Sequence, residues 1–433
     1  MTPRPNILVV GAGYVGLATA VFLADKGFPT TVVEKNSALV ETLRRGRLHF
    51  RERLLAERLR EVIGERTLMV AEPEKALYQR ADLIFIAIDS ANRKTWQMRT
   101  ATFAEIAAWI GEVRRKTAPT VVLKSTNVLG FAGEFRRLLD AAPFGKAVKL
   151  VVNPEFLREG NALEDTARPF RIVIGSREKR DAARLAMLYR QVYRTGVPIV
   201  HTDWTSAELI KLASNVYLAY RLAFIHEIAD FARREGLDLE AIRMGIGLDQ
   251  RIGLDYFTPG LGFGGSCLPK DCLLINSRET GNGFTFQSAQ TAMAVNEGVL
   301  ENLVKMLAEK LGGLAGKKIA LLGAAFKPDV DDTRDSRAVR LAELLKAKRA
   351  KVAIYEPYLA GRDRIPETEF ALEKDVAAAL DGAAAVIIGT AHKRLAMLRP
   401  REVAALVANK LVIDYFRVLN RGGWREAGFE VIG

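Results

Sequence analysis

The stretch "NILVVGAGYVGLATAVFLADKG", residues 6–27, decides the fold of this chain. Residues 6–10 read as a buried apolar strand, and the stretch beyond Gly13 repeats its apolar residues at helical spacing until Gly27 stops it. Gly11, Gly13 and Gly16 form G-x-G-x-x-G at the junction. The first permits a tight turn, the second lets a pyrophosphate approach the backbone, and the third lets the helix pack closely on the sheet. Tyr14 and Val15 occupy the positions between the last two glycines. The next strand, "TTVVEK" (30–35), brings Glu34 to the place where a ribose hydroxyl is bound. A carboxylate there repels a 2′-phosphate, so NAD is expected over NADP, with the neighbouring Lys35 working against that preference.

Working outward, buried strands are expected at 81–88, 120–126, 149–154 and 170–176, with helical stretches between several of them. Strands alternating with helices predict a parallel, doubly wound α/β sheet. From 204 to 247 the pattern becomes one long helical stretch interrupted only by Gly236, and "LGGLAGKK" near 311–318 reads as a linker. A second alternating set follows at 317–326, 350–357, 383–390 and 410–416. The expected domains are 1–200, a central helical segment 201–312, and 313–433.

The bulk numbers agree with a modular globular protein: 433 residues, 49% hydrophobic and 27% charged. No apolar run reaches the roughly 18 residues of a membrane span, and the N-terminus flows into the glycine turn without a signal-peptide pattern. Two cysteines, Cys267 and Cys272, make no disulfide framework, and four histidines without paired spacing predict no metal site. A reducing, cytoplasmic setting is expected. The net charge of +13 is spread through amphipathic segments. It therefore points to anionic small ligands and away from nucleic acid.

Three further stretches carry chemistry. In "SAELIKLASNVYLA" Glu208, Lys211 and Asn215 share a helical face, either as a solvated surface or as an ammonium and a carboxamide holding a substrate oxygen. In "GFGGSCLPKD" (262–271) Cys267 follows glycines 262, 264 and 265, which allow close backbone approach, and precedes Lys270, which favours a thiolate if it lies nearby. Cys272 reads as ordinary core. In "NPEFLREGNALED" Glu155 follows Asn-Pro at the carboxyl end of a strand, where open α/β sheets bind ligands, and is a general-base candidate.

Together "GAGYVGLATA", "KST", "NPEFLREGNALED", "AELIKLASN", "IGLDQRIG", "PGLGFGGSCLPKD" and "AAFKPDVDDTRDS" occur in the order found in the UDP-glucose/GDP-mannose dehydrogenase family, which the chain resembles over nearly its whole length. The resemblance implies two Rossmann-like doubly wound domains joined by a long central helix through which homodimers form. It makes Cys267 the nucleophile, Lys211 and Asn215 the holders of the substrate's C6 oxygen, Glu155 the acid/base group, and Thr126 and Asp271 the groups that position water. Phe156, Leu157, Arg158, Arg251, Tyr256, Phe263, Gly264 and Lys327 match positions lining the nucleotide-sugar site, with Arg251 arriving from the partner subunit. Ser90, Thr126, Lys270 and Arg334 fall on the cofactor side. The implied reaction is a four-electron oxidation of a primary alcohol to a carboxylate with NAD, through a Cys-linked thiohemiacetal and thioester. UDP-glucose, giving UDP-glucuronate, stands ahead of GDP-mannose or another UDP-sugar.

The chain departs from the family at Ile88-Asp89-Ser90-Ala91, where Ser90 takes the place of a threonine, and at Leu39, where a lysine is usual. It departs again at Asn127-Val128-Leu129-Gly130 and in "DYFRVLN" (414–420). Two other readings remain: a two-electron β-hydroxyacid dehydrogenase, which shares the Lys-x-x-x-Asn helix but needs no thiol, and a nucleotide-binding scaffold.

Overall fold

The structure, a computed structural model, describes residues 4–89, 100–112, 115, 117–193, 196–277, 284–359 and 361–433. The chain divides into two compact units, Met1–Ala213 and Ser214–Gly433.

The first unit is built on strands β1 (Ile7–Val10), β2 (Thr30–Val33), β3 (Leu68–Ala71), β4 (Leu83–Ile86), β5 (Thr120–Leu123), β6 (Lys149–Val152), β7 (Ile172–Gly175) and β8 (Ile199–Thr202). They lie in the order β3-β2-β1-β4-β5-β6-β7-β8. Helices α1 (Tyr14–Asp25), α2 (Ser37–Arg44), α3 (Arg53–Gly64), α4 (Lys75–Arg80), α5 (Thr100–Gly111), α6 (Phe131–Ala141), α7 (Ala162–Ala167) and α8 (Lys179–Val192) connect them. Both faces of the central strands are buried, which is why they read as continuous apolar runs. Ile7, Val9, Phe85, Val122 and Val151 pack with α1, α3 and α8. The alternate residues Leu8, Val10, Ile84, Ile86, Val121 and Leu123 pack with α5 and α6. Each such side chain contributes about 1.5–3 kcal/mol on burial, so the period of two fixes the register.

Helix α9 (Trp204–Glu235) begins in the first unit and ends in the second. Gly236, at φ +67°, terminates it. There follow α10 (Leu239–Gly247), α11 (Leu268–Leu274) and α12 (Gln287–Leu311). The second unit's sheet comprises β9 (Lys318–Leu322), β10 (Lys351–Tyr355), β11 (Ala385–Ile388), β12 (Leu411–Ile413) and β13 (Glu430–Ile432), all parallel and ordered β10-β9-β11-β12-β13. Its helices are α13 (Arg337–Ala347), α14 (Val376–Leu380), α15 (Pro400–Leu406) and α16 (Arg421–Glu426). Ile319, Leu321, Ile387 and Ile413 pack with α12 and α13. Ala320, Leu322, Val386 and Val412 pack with Leu380, Val403 and Trp424.

The α/β character and both sets of strands expected from the sequence are present. One difference is direction, because β7 pairs antiparallel with β6 through Val152 and Gly175. The connection 153–171 holds only the short α7 and re-enters the sheet from the end it left, whereas a parallel return requires a full crossover. The edge strands β3, β8 and β13 were not foreseen. They are three or four residues long with mixed burial, so no clean apolar run marks them.

Candidate active site

The glycine turn ends β1 and opens α1. Gly11 has φ +100°, and a Cβ there would lie 2.6 Å from the Ala87 carbonyl oxygen. A Cβ on Gly16 would stand 1.9 Å from the Gly11 carbonyl oxygen. Each position therefore excludes a side chain, the first by conformation and contact and the second by contact alone. Gly13 differs. It is exposed, with nothing among the described residues within 4 Å of its would-be Cβ, and it precedes α1 without a side-chain cap. This is the opening a pyrophosphate needs at a helix N-terminus. Tyr14 stacks on Phe50 with centroids 3.9 Å apart, beside the half-buried Val15. Glu34 is tied to the turn: Oε2 accepts from the Ala12 N–H at 3.3 Å and Oε1 from the Asn36 N–H at 3.0 Å. The turn, the open backbone and the anchored acid fit a dinucleotide with a ribose hydroxyl at Glu34. Lys35 is exposed, and Ser90 and Ala91 lie outside the described residues.

Beyond β5 and β6 the first unit collects a buried ionic group. Glu155 and Lys211 are 9% and 4% exposed, with Oε1 and Nζ 3.0 Å apart. The Leu157 N–H donates to Glu155 Oε2 at 2.8 Å. Burial alone would raise the Glu155 carboxyl, but the charge and hydrogen bond of Lys211, the Leu157 N–H and the Lys124 ammonium hold it below its ordinary value. Lys211 Nζ also lies 5.5 Å from the Phe156 ring centroid, and the Arg171 guanidinium covers that ring at 3.7 Å. Arg158 is exposed and bound to Asp165 through Nε at 3.0 Å and Nη2 at 2.7 Å. Thr126 is half-buried two residues past Lys124.

The helix face bearing Glu208, Lys211 and Asn215 is buried, not solvated. Glu208 is a helix cap: it accepts from the Gly130 and Ala132 N–H groups at 2.5 and 2.8 Å. The start of α6 has no side-chain cap of its own, so α9 supplies one.

In the second unit Cys267 is half-buried at the start of α11. Four residues on, Asp271 is fully buried; Asn215 Nδ2 donates to its Oδ2 at 2.6 Å, and Lys270 Nζ lies 3.0 Å from its Oδ1. Thus Asn215, Lys270 and Asp271 form one cluster, and the Lys270 ammonium is directed at a carboxylate. Cys272 is core as expected; burial, then the Asp271 charge, pushes its thiol up to about 12.

The glycines before Cys267, expected to admit close backbone approach, also answer to packing, since their Cβ directions meet protein. A Cβ on Gly262 would lie 2.4 Å from Asn296 Oδ1, on Gly264 2.3 Å from the Asp335 carbonyl oxygen, and on Gly265 2.5 Å from the Phe326 ring. Phe263 is buried, its N–H and carbonyl both held by Asn296 at 2.7 and 2.9 Å. His226 accepts from the Gly260 N–H at 3.0 Å, and Arg337 donates to the Leu261 and Asn296 carbonyls. Asn296, Arg337 and His226 were missed because nothing local marks a residue that pins a loop distant in sequence.

Of the remaining candidates, Arg251 projects outward with an 88% exposed side chain paired to Asp249, and Tyr256 adopts φ +54°. The segment before Tyr256 is held by Arg221, which donates to the carbonyls of Ile252, Gly253 and Asp255. Lys327 and Arg334 lie in the loop after β9, Lys327 over Phe326 at 5.6 Å and Arg334 Nε bonded to Asp332 at 2.6 Å.

A doubly wound sheet with this turn and this acid, beside a buried lysine–carboxylate pair, defines an NAD-binding oxidoreductase. Residues 5–193, 205–298 and 320–421 match in order the NAD binding, central and UDP binding domains of the UDP-glucose/GDP-mannose dehydrogenase family. Over 355 residues the chain is 35% identical to UDP-glucose 6-dehydrogenase of Rhizobium meliloti (strain 1021), with 81% of each covered. It is 36% identical to UDP-glucose 6-dehydrogenase YwqF of Bacillus subtilis (strain 168), over 81% of this chain and 79% of that one. Among solved structures, a UDP-glucose dehydrogenase from the hyperthermophilic archaeon Pyrobaculum islandicum matches with a TM-score of 0.90 and 34% identity, covering 100% of this chain and 98% of that one. The chain belongs to the UDP-glucose/GDP-mannose dehydrogenase family. It is an NAD-dependent oxidoreductase with a UDP-sugar-binding domain at its C-terminal end.

Proposed function

We propose that the protein oxidises the C6 alcohol of UDP-glucose to the carboxylate of UDP-glucuronate, with Cys267 as covalent nucleophile. The observation that carries this reading is Cys267 itself, accessible at the start of α11 while Cys272 is sealed in the core. A two-electron alcohol dehydrogenase has no use for such a thiol. Relatives named UDP-glucose 6-dehydrogenase support the sugar.

In this reading Gly11, Gly13, Gly16 and Glu34 would hold NAD, which would supply the hydride acceptor for both oxidations. Glu155, kept ionised by its cations, accepts the alcohol proton directly or through water placed by Thr126. Lys211 and Asn215 hold the C6 oxygen as negative charge develops on it. Cys267 adds to the aldehyde as a thiohemiacetal, and the second oxidation makes a thioester. Asp271, fixed by Asn215 and Lys270, directs the water that releases the acid. Phe156, Leu157, Phe263 and Gly264 shape the sugar end, and Lys327 and Tyr256 serve the nucleotide.

We infer further that residues 1–200 bind the cofactor, 201–312 carry the central machinery and 313–433 bind the nucleotide, in a cytoplasmic homodimer. Tyr217, Tyr220, Phe224 and Phe231 are 41–59% exposed along α9, an apolar stripe suited to a second copy, and the outward Arg251 suits a partner's site.

The test is NADH formed per sugar consumed, with UDP-glucose and GDP-mannose compared. UDP-glucose should give two NADH, and Cys267→Ser should abolish carboxylate release. One NADH per sugar, with Cys267→Ser still turning over, excludes the covalent mechanism. Faster turnover of GDP-mannose reassigns the sugar and leaves the chemistry intact.

A further inference from the structure

Lys124 takes no reaction step of its own in the scheme above, yet it is the third member of the buried ionic group in the first unit. It follows β5 directly and is 9% exposed. Its ammonium meets a neutral partner: Nζ donates to Asn153 Oδ1 at 3.0 Å. The register sets this meeting, since Leu123 pairs with Val152 and the next residues are Lys124 and Asn153. Asn153 is itself fixed, because its Nδ2 donates to the Val173 carbonyl at 2.7 Å and the Tyr189 hydroxyl also donates to its Oδ1. Two residues after Asn153 comes Glu155, already paired with Lys211.

We propose that Lys124 is a positioning residue: its ammonium, anchored on Asn153, supplies the second positive charge of the Glu155–Lys211 pair. With it the group carries two cations and one anion, so Glu155 stays a carboxylate and Lys211 keeps attraction to spare for an oxygen that becomes negative. Without it the pair is neutral overall. The inference rests on the roles proposed for Glu155 and Lys211.

Among the described residues three charged or titratable groups face Lys124: Glu155 beyond β6 and Lys211 on α9, and Tyr189 on α8, whose hydroxyl shares the Asn153 oxygen. Burial keeps the Tyr189 phenol neutral in the working range. Burial pulls the Lys124 ammonium down to about 8, with Glu155 opposing and Lys211 adding to that shift. The sign follows. Below pH about 8 the second charge is present, and above it Lys124 is neutral and the charge is gone.

Two measurements test this. In the first, kcat/KM for UDP-glucose is followed from pH 6 to 10 in the native enzyme, Lys124→Met and Lys124→Arg. The native-to-methionine ratio should be about tenfold or more below pH 7 and shrink through pH 8, since above it both sites lack the charge. The arginine variant should keep its activity relative to the methionine variant up to pH 10. In the second, the 13Cε resonance of Lys124 is titrated in protein labelled at lysine, without substrate. Its midpoint should move down in Glu155→Gln and up in Lys211→Met. A native-to-methionine ratio that does not change with pH overturns the proposal, as does a Lys124 midpoint indifferent to both neighbours. Because the titration needs no turnover, loss of the UDP-glucose reading would leave this arm intact, and the two failures stay distinguishable.

Discussion

The two sheets place a glutamate at the same point and use it differently. In the first, the Gly11 N–H donates to the Val33 carbonyl at 2.9 Å, and Glu34 accepts from Ala12 and Asn36. In the second, the Gly323 N–H donates to the Tyr355 carbonyl at 2.8 Å. There Glu356 accepts from Ala324 at 2.7 Å and from Tyr358 at 2.9 Å. The wiring between first turn and second-strand acid is the same. What differs is the other side of the carboxylate. Glu34 is half-exposed, whereas Glu356 is 2% exposed and covered by the fully buried His392. His392 Nδ1 accepts from the Asp329 N–H at 3.1 Å, which leaves Nε2 to donate to Glu356 at 3.0 Å. One acid is left half-exposed; the other holds Ala324 and Ala325 directly and Asp329 through His392, in the loop that carries Lys327 and Arg334. The same strand end is thus open to solvent at Glu34 and closed by the chain's own His392 at Glu356.

The largest test of this contrast is Glu356→Ala against Glu34→Ala. Removing Glu356 strips the Ala324, Ala325, Tyr358 and His392 donors of their acceptor, and since each buried donor left unsatisfied costs about 1–3 kcal/mol, the loss should be about 3 kcal/mol or more. At the half-exposed Glu34 the loss should stay under about 1 kcal/mol. Urea denaturation of both variants decides the matter, and equal effects would dissolve the contrast. A pH arm sharpens it. Burial would raise the Glu356 carboxyl, but His392 and the backbone donors bring it below 4.5. Its stabilisation is therefore complete above pH 4.5 and fades as pH falls through the lower folded value, a limb that should vanish in Glu356→Gln.

Much of the first half of the contrast was readable in the chain. Gly11, Gly13, Gly16 and Glu34 sit within one continuous βαβ stretch, so spacing alone places them. The second half was not, because Glu356 and His392 are brought together by adjacent strands β10, β9 and β11 and no local pattern announces it. The same limit applied to the glycines before Cys267. Their freedom was legible, but their reason, contact with Asn296, Asp335 and Phe326, lies on distant segments. The Glu155–Lys211 pair stood between these cases, since each residue was legible on its own element and only folding supplied the 3.0 Å between them.

A smaller effect is expected at the turn itself. Counting from the first glycine, Gly13 corresponds to Ala325, which is 2% exposed and donates its N–H to Glu356 at 2.9 Å. The second sheet already carries a methyl there, inside its core. Gly13→Ala puts one in open space at φ −76°, which alanine accepts. Thermal unfolding should barely change, while the methyl occupies the approach of the pyrophosphate and weakens NAD roughly thirtyfold or more, about 2 kcal/mol. Fluorescence titration with NADH reads the affinity. Unchanged binding would move the pyrophosphate away from Gly13.

The mildest change, Glu34→Gln, separates the acid's charge from its place in the turn. Glutamine keeps one oxygen to accept the Ala12 N–H, so that half of the wiring Glu34 shares with Glu356 survives, while the Asn36 N–H exchanges its carboxylate acceptor for water at this half-exposed position. The ribose loses a charged acceptor, a difference of about 1.4 kcal/mol, so KM for NAD should rise about tenfold with kcat nearly unchanged. The penalty on a 2′-phosphate falls in the same step, and the exposed Lys35 becomes its nearest attraction in sequence. The NADP-to-NAD ratio of kcat/KM should therefore climb in Glu34→Gln and drop back in Glu34→Gln with Lys35→Ala. If the ratio stays fixed in the first variant, the carboxylate does not read the ribose, and Glu34 is, like Glu356, only a clasp for its own turn.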